Sequence, residues 1–309
     1  MNMKIATTTG DFGFYCASDA DRIRELHRAG FRYIDLNMYT FTPDCAYMQD
    51  GWQKEVLALK ALAEELGMEF VQAHSQGGNP LSDHSERVDF LLRATLRSIE
   101  ICQMLGIPNT VVHNGFADGI SKEEWFERNR EFYRLLIPTA ERCGVNILCE
   151  NSTKSNMRDN YFINTGADMV EFIRYVDHPM IHACWDTGHA NCEGAQYDQI
   201  LALGKELYAI HYNDNHGLKD DHVAPFLGRL NHDEVMSALV DVGFKGPFTL
   251  ECDSSLIKYN CWVGKRRRFG DGERELRLSE PQLFMQRHIE AMMYETAKWM
   301  LSSYGIEGR

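Results

Sequence analysis

Six stretches of this chain end on residues that bind metals or move protons. They read Val-Gln-Ala-His74, Val-Val-His113-Asn114, Leu-Cys-Glu150-Asn151, Cys-Trp-Asp186-Thr-Gly-His189, Ala-Ile-His211-Tyr-Asn213-Asp214 and Thr-Leu-Glu251. A single histidine in such a place is ordinarily a hydrogen-bonded core residue, and a single carboxylate pairs with an arginine or caps the next helix. The set resists that explanation. Burying several unpaired carboxylates costs on the order of several kcal/mol each, and no lysine or arginine stands beside these ends. A divalent cation would satisfy Glu150, Asp186, His211 and Glu251 together, through three carboxylates and one imidazole. Hard oxygen donors with one nitrogen suit manganese, magnesium or cobalt, with zinc as a further candidate. The expectation is one divalent ion.

These ends belong to a repeating rhythm. Short apolar runs at 4–8, 33–37, 69–74, 110–114, 146–150, 181–186, 208–213 and 248–252 predict strands. Between them, amphipathic periodicity predicts helices at 20–29, 52–66, 85–105, 122–143, 167–176, 197–203 and 232–242, with a final helix over 281–304. Gly30, Gly67, Gly106, Gly144 and Gly243 fall just before five of the strands, where glycine ends a helix. Regular alternation implies parallel pairing through right-handed crossovers, and eight such units predict a (β/α)8 TIM barrel over 1–309 as one domain. No Gly-x-Gly-x-x-Gly follows the first strand, which argues against a dinucleotide fold. In a barrel of this kind, chemistry gathers at the carboxyl-terminal ends of the strands.

Two connections are longer than the rest. Segment 214–230 is polar and contains Asp220, Asp221 and His222. Segment 253–280 holds Tyr259, Trp262 and the basic run Lys265, Arg266, Arg267 and Arg268. Long loops in a compact domain are usually lids or binding loops. Because 253–280 leaves the last strand just after Glu251, it is expected to lie over the mouth of the barrel.

Composition excludes several classes. The chain has 309 residues, 44% hydrophobic and 25% charged, enough to bury a large core. With 32 basic and 45 acidic residues the formal charge is −13, the wrong sign for a nucleic-acid binder. No run approaches the roughly 20 apolar residues needed to span a bilayer, and the first residues lack a signal-peptide layout. The nine cysteines contain no Cys-x-x-Cys pair, and Cys149, Cys184 and Cys252 sit in apolar runs. That pattern fits a soluble cytoplasmic protein with buried thiols. The closing Ile-Glu-Gly-Arg spells a protease recognition sequence and is assigned no role.

The segments Cys-Glu150-Asn, Trp-Asp186-Thr-Gly-His189, His211-Tyr-Asn-Asp and Leu-Glu251 resemble the xylose isomerase-like barrels of the sugar-phosphate isomerase/epimerase superfamily. The resemblance runs from the first strand to the eighth and weakens after about Ser255. It implies that Glu150, Asp186, His211 and Glu251 hold one divalent metal, and that Glu150 and Glu251 act as acid and base beside a sugar carbonyl. His74, His113, His189, Asp220 and His222 would then surround the substrate hydroxyls. Proton abstraction next to a carbonyl needs a base and a stabiliser for the enediolate, and this constellation offers both. The implied activity is isomerisation or epimerisation of a sugar, keto-sugar or cyclitol. The partner is that small molecule, with neither nucleic acid nor membrane, and the chain is expected to form a homo-oligomer or a hetero-oligomer with a small subunit.

The chain also departs from the ketose 3-epimerases it resembles. They carry an Asn-Arg-Phe-Glu-like stretch after strand five, where this chain has Asn151-Ser-Thr-Lys-Ser-Asn156. They place an arginine after the strand-seven histidine, where it reads His211-Tyr-Asn-Asp-Asn-His216. Both departures point toward relatives acting on oxidised or inositol-derived sugars. Two other chemistries stay open. Lyases of the same superfamily, acting on keto-inositols or on 3-oxo C-glycosides, begin with the same proton abstraction. Endonuclease IV-type phosphodiesterases use nine ligands for three zinc ions, and matching types occur here at His74, His113, Glu150, Asp186, His189, His211, Asp220, His222 and Glu251. The charge of −13 opposes a DNA substrate. A sugar-binding barrel without catalysis would have no need of two facing glutamates on a metal.

Overall fold

The computed structural model describes residues 2–256 and 278–309. Strands β1 (Ile5–Thr8), β2 (Tyr33–Asn37), β3 (Glu69–His74), β4 (Asn109–Val111), β5 (Asn146–Glu150), β6 (Ile181–Asp186), β7 (Leu207–Tyr212) and β8 (Phe248–Leu250) form a closed parallel barrel. Around them run helices α1 (Asp19–Ala29), α2 (Trp52–Glu65), α3 (Ser85–Leu105), α4 (Lys122–Cys143), α5 (Gly166–Val176), α6 (Tyr197–Leu203), α7 (His232–Asp241) and α8 (Leu283–Ser303). This is the (β/α)8 architecture the alternation predicts. No helix among the described residues is long and apolar enough to cross a membrane.

Strand alternation explains how the barrel is filled. Ile147 and Cys149 of β5 pack outward into the helix-side core, while Leu148 turns inward onto Val111, Cys184 and Ala209. Those inner residues form an apolar plug inside the barrel. Two positions further along each strand, on the same face, stand His113, Glu150, Asp186 and His211. The polar layer therefore rests directly on the plug, at the end where a barrel keeps its chemistry.

The helices begin and end as their sequences dictate. Ser18, Ser121, Thr165 and Asn231 each accept a backbone N–H of the first turn of α1, α4, α5 and α7, a contact worth about 1 kcal/mol. Gly30, Gly106 and Gly144 close α1, α3 and α4 with φ of 112°, 77° and 65°, a region that costs other residues strain. Eight cysteines are described and all are free thiols.

Three differences from the sequence reading stand out. Strands four and eight end early, so His113, Asn114 and Glu251 lie on the shoulders just beyond β4 and β8. Two short helices, Lys154–Met157 and Thr187–Glu193, occupy segments to which the sequence reading assigns no element. At the opposite end of the barrel, Asn2–Met3 pairs in parallel with Glu307–Gly308, and Ile5 N–H donates to Arg309 O at 2.8 Å. The closing Ile306-Glu-Gly-Arg309 is thus part of the fold, with Ile306 buried. Tyr259, Trp262 and the run Lys265, Arg266, Arg267 and Arg268 lie outside the described residues, as does most of the long connection expected over the mouth.

Candidate metal centre at the barrel mouth

Glu150 is the hub of the site. Its Oε1 lies 2.5 Å from His211 Nδ1 and its Oε2 lies 2.6 Å from His113 Nε2. Glu251 Oε2 approaches the same His211 Nδ1 at 3.2 Å. Ligand atoms of Glu150, Asp186, His211 and Glu251 all fall within 4.8 Å of one another. The four residues that the sequence groups as one ligand set are therefore brought together. The two glutamates converge on one ring nitrogen from β5 and from the end of β8.

Two further groups adjoin this one. His74, His113 and Glu150 converge on one side, with His74 Nε2 3.1 Å from His113 Nε2. Asp186, His189 and His222 converge on the other. There Asp220 reaches both histidines, Oδ2 at 3.1 Å from His189 Nε2 and Oδ1 at 3.0 Å from His222 Nε2. The loop after β7 folds back through a bridge between Asp214 and Val223, which brings Asp220 and His222 to the mouth.

Backbone carbonyls fix three of these rings. His74 Nδ1–H donates to Ser75 O at 2.9 Å, His189 Nδ1–H to Asn151 O at 2.8 Å, and His222 Nδ1–H to Glu251 O at 3.2 Å. A proton so committed leaves each Nε2 with a lone pair facing the carboxylates or another ring, unless the ring is charged. Acceptors turned toward acceptors call for a proton or a cation between them. In the metal-free protein, protons take that place. Burial alone would lower His189, but Asp186 and Asp220 raise it to about 10. Burial likewise opposes ionisation of Glu150, yet His211, His113 and His74 hold it well below the ordinary carboxylate range.

Asp186 carries two structural bonds as well. Its Oδ1 accepts the His189 N–H at 2.6 Å, capping the helix Thr187–Glu193, and its Oδ2 accepts Asn213 Nδ2–H at 2.8 Å. Burial nevertheless raises it to about 6, so a nearby positive charge would stabilise its ionised form.

Residues outside the sequence-read set also line the centre. Asn151 Oδ1 accepts the Asp186 N–H at 2.7 Å and ties β5 to β6. Tyr39, two residues beyond β2, sets its ring edge-on to His74 and His113 at 5.1 and 5.5 Å, and is 39% exposed at the mouth. Asp35 of β2 is fully buried, raised by that burial to about 6, and lies 4.0 Å from His211 Nε2. Its signal was present in the sequence: an acidic residue between Ile34 and Leu36 in an apolar strand.

The sequence profile of the family described as Xylose isomerase-like TIM barrel matches residues 23–274. The chain belongs to that family. Within reach of this xylose isomerase-like barrel is a D-psicose 3-epimerase of Ruminiclostridium cellulolyticum, 32% identical over 133 residues, which is 43% of each chain. An L-ribulose 3-epimerase of Methylomonas sp. is 25% identical over 244 residues, covering 74% of this chain and 77% of that one. The crystal structure of a 3-keto-D-glucoside 4-epimerase from E. coli superposes with a TM-score of 0.69 at 17% identity, covering 98% of this chain and 100% of that one. At that identity the superposition speaks to the fold alone.

Proposed function

We propose that the protein is a divalent-metal-dependent epimerase of a sugar or keto-sugar, working by proton abstraction beside a carbonyl. The observation that carries this reading is the convergence of Glu150 and Glu251 on one nitrogen of His211, within a four-residue ligand group. The donor set suits such an ion: three carboxylates and an imidazole are gathered within 4.8 Å of one another, and Asp186 is pushed toward neutrality without one. Manganese is the metal proposed. An ion held by Glu150, Asp186, His211 and Glu251 would supply Lewis-acid polarisation of the substrate carbonyl.

The chain's own groups account for the proton. One glutamate removes hydrogen from the carbon beside the carbonyl, and the C–H electron pair becomes the enediolate double bond. The other, having taken a proton from solvent, delivers it to the opposite face and inverts that carbon. Glu251 is the more open of the two, with its side chain 14% exposed against 2% for Glu150. His74, His113, His189, Asp220 and His222 ring the site and would bind the substrate hydroxyls, with Tyr39 as an apolar wall. The names of the two relatives favour epimerisation over elimination, although both begin with the same abstraction. Ketoses therefore head the substrate panel, followed by 3-keto-glycosides and keto-inositols, since Asn151–Asn156 departs from the ketose epimerase pattern. We take the working form to be a cytoplasmic homo-oligomer. The test is turnover of that panel in deuterated water by metal-loaded enzyme. Label at the carbon beside the carbonyl is expected, and product formed without label would sink the mechanism.

A second reading has its own observation. The nine histidines and carboxylates do not merely occur in the chain, since eight of them make up three adjoining ligand groups and Asp220 lies 3.1 and 3.0 Å from two of those histidines. That arrangement suits several ions and hydrolysis of a phosphodiester, as in endonuclease IV-type enzymes. The charge of −13 keeps it second. Metal analysis with a small aryl phosphodiester decides: three ions per chain with hydrolysis would favour it over the epimerase.

A further inference from the structure

We propose that Asp35 is a positioning residue that keeps His211 Nδ1 aimed into the mouth by accepting the proton on the ring's other nitrogen. The inference rests on the metal reading above and concerns what stands behind the ligand. His211 Nδ1 faces Glu150 and Glu251, so its Nε2 points down into the barrel. That atom is buried and has no hydrogen-bond partner among the described residues, and neither oxygen of Asp35 has one. Both side chains are 0% exposed, with Asp35 Oδ2 and His211 Nε2 4.0 Å apart. Gln72 is the register partner of Asp35 across β2 and β3, and its Nε2 is likewise unpaired. One interior layer thus holds two unpaired donors and an unpaired carboxylate.

Buried polar groups left in this state are rare and costly. A fold carrying three of them together is best explained by a state in which they are used. When Nδ1 binds a cation it can hold no proton, so Nε2 must carry the hydrogen. A carboxylate accepting that hydrogen fixes the ring and makes it a stronger ligand. A side-chain shift of about 1 Å closes the gap between Asp35 and Nε2 to hydrogen-bonding length. The alternatives beside the ring are weaker. Cys184 offers only a thiol, and His74 stacks flat on His211 at 5.6 Å with its own Nδ1 bonded to Ser75 O. The strand pairing is also irregular at Ile34/Asp35 and at Ala183/Cys184, the neighbours of this ring. Such irregularities commonly re-aim side chains next to active sites.

The test titrates Mn2+ and Zn2+ calorimetrically into metal-free wild type, Asp35→Leu and Asp35→Asn, and measures each metal-free melting temperature. Asp35→Leu replaces an unpaired buried carboxylate by an apolar side chain of similar size, so it should melt no lower than wild type. It should nevertheless bind metal about 10- to 100-fold more weakly. Asp35→Asn keeps an acceptor oxygen and should fall between the two. Affinities within about twofold of wild type in both variants would overturn the proposal. So would an affinity loss that only follows a lowered melting temperature in both, which marks a structural role. A wild type that binds neither ion would instead remove the metal reading, and the role of Asp35 with it.

Discussion

Two places in this barrel bury carboxylates together, and they solve the problem in opposite ways. At the mouth, Glu150 is surrounded by His211, His113 and His74 and stays ionised against the pull of burial. Beside β1, Asp11 is buried with Glu290 of α8, and among the described residues no histidine offsets their burial. Burial raises Glu290 to about 8 and lifts Asp11 well above its ordinary range, while Thr7 Oγ1–H donates to Asp11 Oδ2 at 2.7 Å. A proton shared between the two acids would satisfy Asp11 Oδ1 and Glu290 Oε2, neither of which has another hydrogen-bond partner among the described residues. The residue types are nearly the same, and their neighbours decide the charge. Histidines prepare a site for a cation, whereas a carboxyl beside a carboxylate ties a helix to a strand.

The same substitution should therefore act oppositely in the two regions. The largest effect is expected from Glu150→Gln or Glu251→Gln, which should lower turnover by about 10²- to 10⁴-fold with the circular dichroism spectrum retained. A variant at either position with wild-type turnover would dissolve the distinction. Next, Asp186→Ala should strip the central ion from purified protein, read by elemental analysis. It should also cost about 1 kcal/mol through the lost cap on Thr187–Glu193, read by denaturant melting.

The pH dependence separates the regions by sign. Glu150 is depressed below its ordinary 4.5, so its contribution is present above that value and is lost as the pH falls through its folded pKa. Glu290 is raised, so its contribution is complete below 4.5 and declines as the pH climbs toward about 8. Glu290→Gln should flatten the melting temperature between pH 5 and about 8.5 and leave turnover within about twofold. An unchanged alkaline slope in that variant would show that the pair holds no shared proton. The smallest effect belongs to Thr165→Ala, which should cost about 1 kcal/mol of stability through the α5 cap without altering metal content.

Much of this was legible before the structure. The runs at 33–37, 69–74, 146–150 and 181–186 and the helices at 85–105, 122–143 and 197–203 have the predicted bounds, because strong periodicity and capping glycines or serines mark them. Seven of the nine mouth residues could be read at or just past strand ends, and Asp220 and His222 in the polar connection 214–230. What escaped depends on contacts remote in sequence. Asp35 matters because of the ring across the barrel from it, and Asp11 because α8 lays Glu290 against β1. Tyr39 sits where an irregular turn brings it, with no repeating pattern to announce it. The pairing of Asn2–Met3 with Glu307–Gly308 is too short for any periodicity to show.

The two register irregularities set a parity. Opposite Ile34 and Asp35, β3 carries one extra residue, Val71; opposite Ala183 and Cys184, β7 carries Tyr208. Side chains alternate faces with a period of two, so a single added residue changes the phase of everything downstream of it. Downstream of Val71 lies His74, and downstream of Tyr208 lies His211. These are the rings that stack on each other over the apolar plug. Two miscounted positions, neither of them chemical, thus determine which way two imidazoles look. Removing either one is expected to leave the polar residues in the chain and turn one of these rings out of the site.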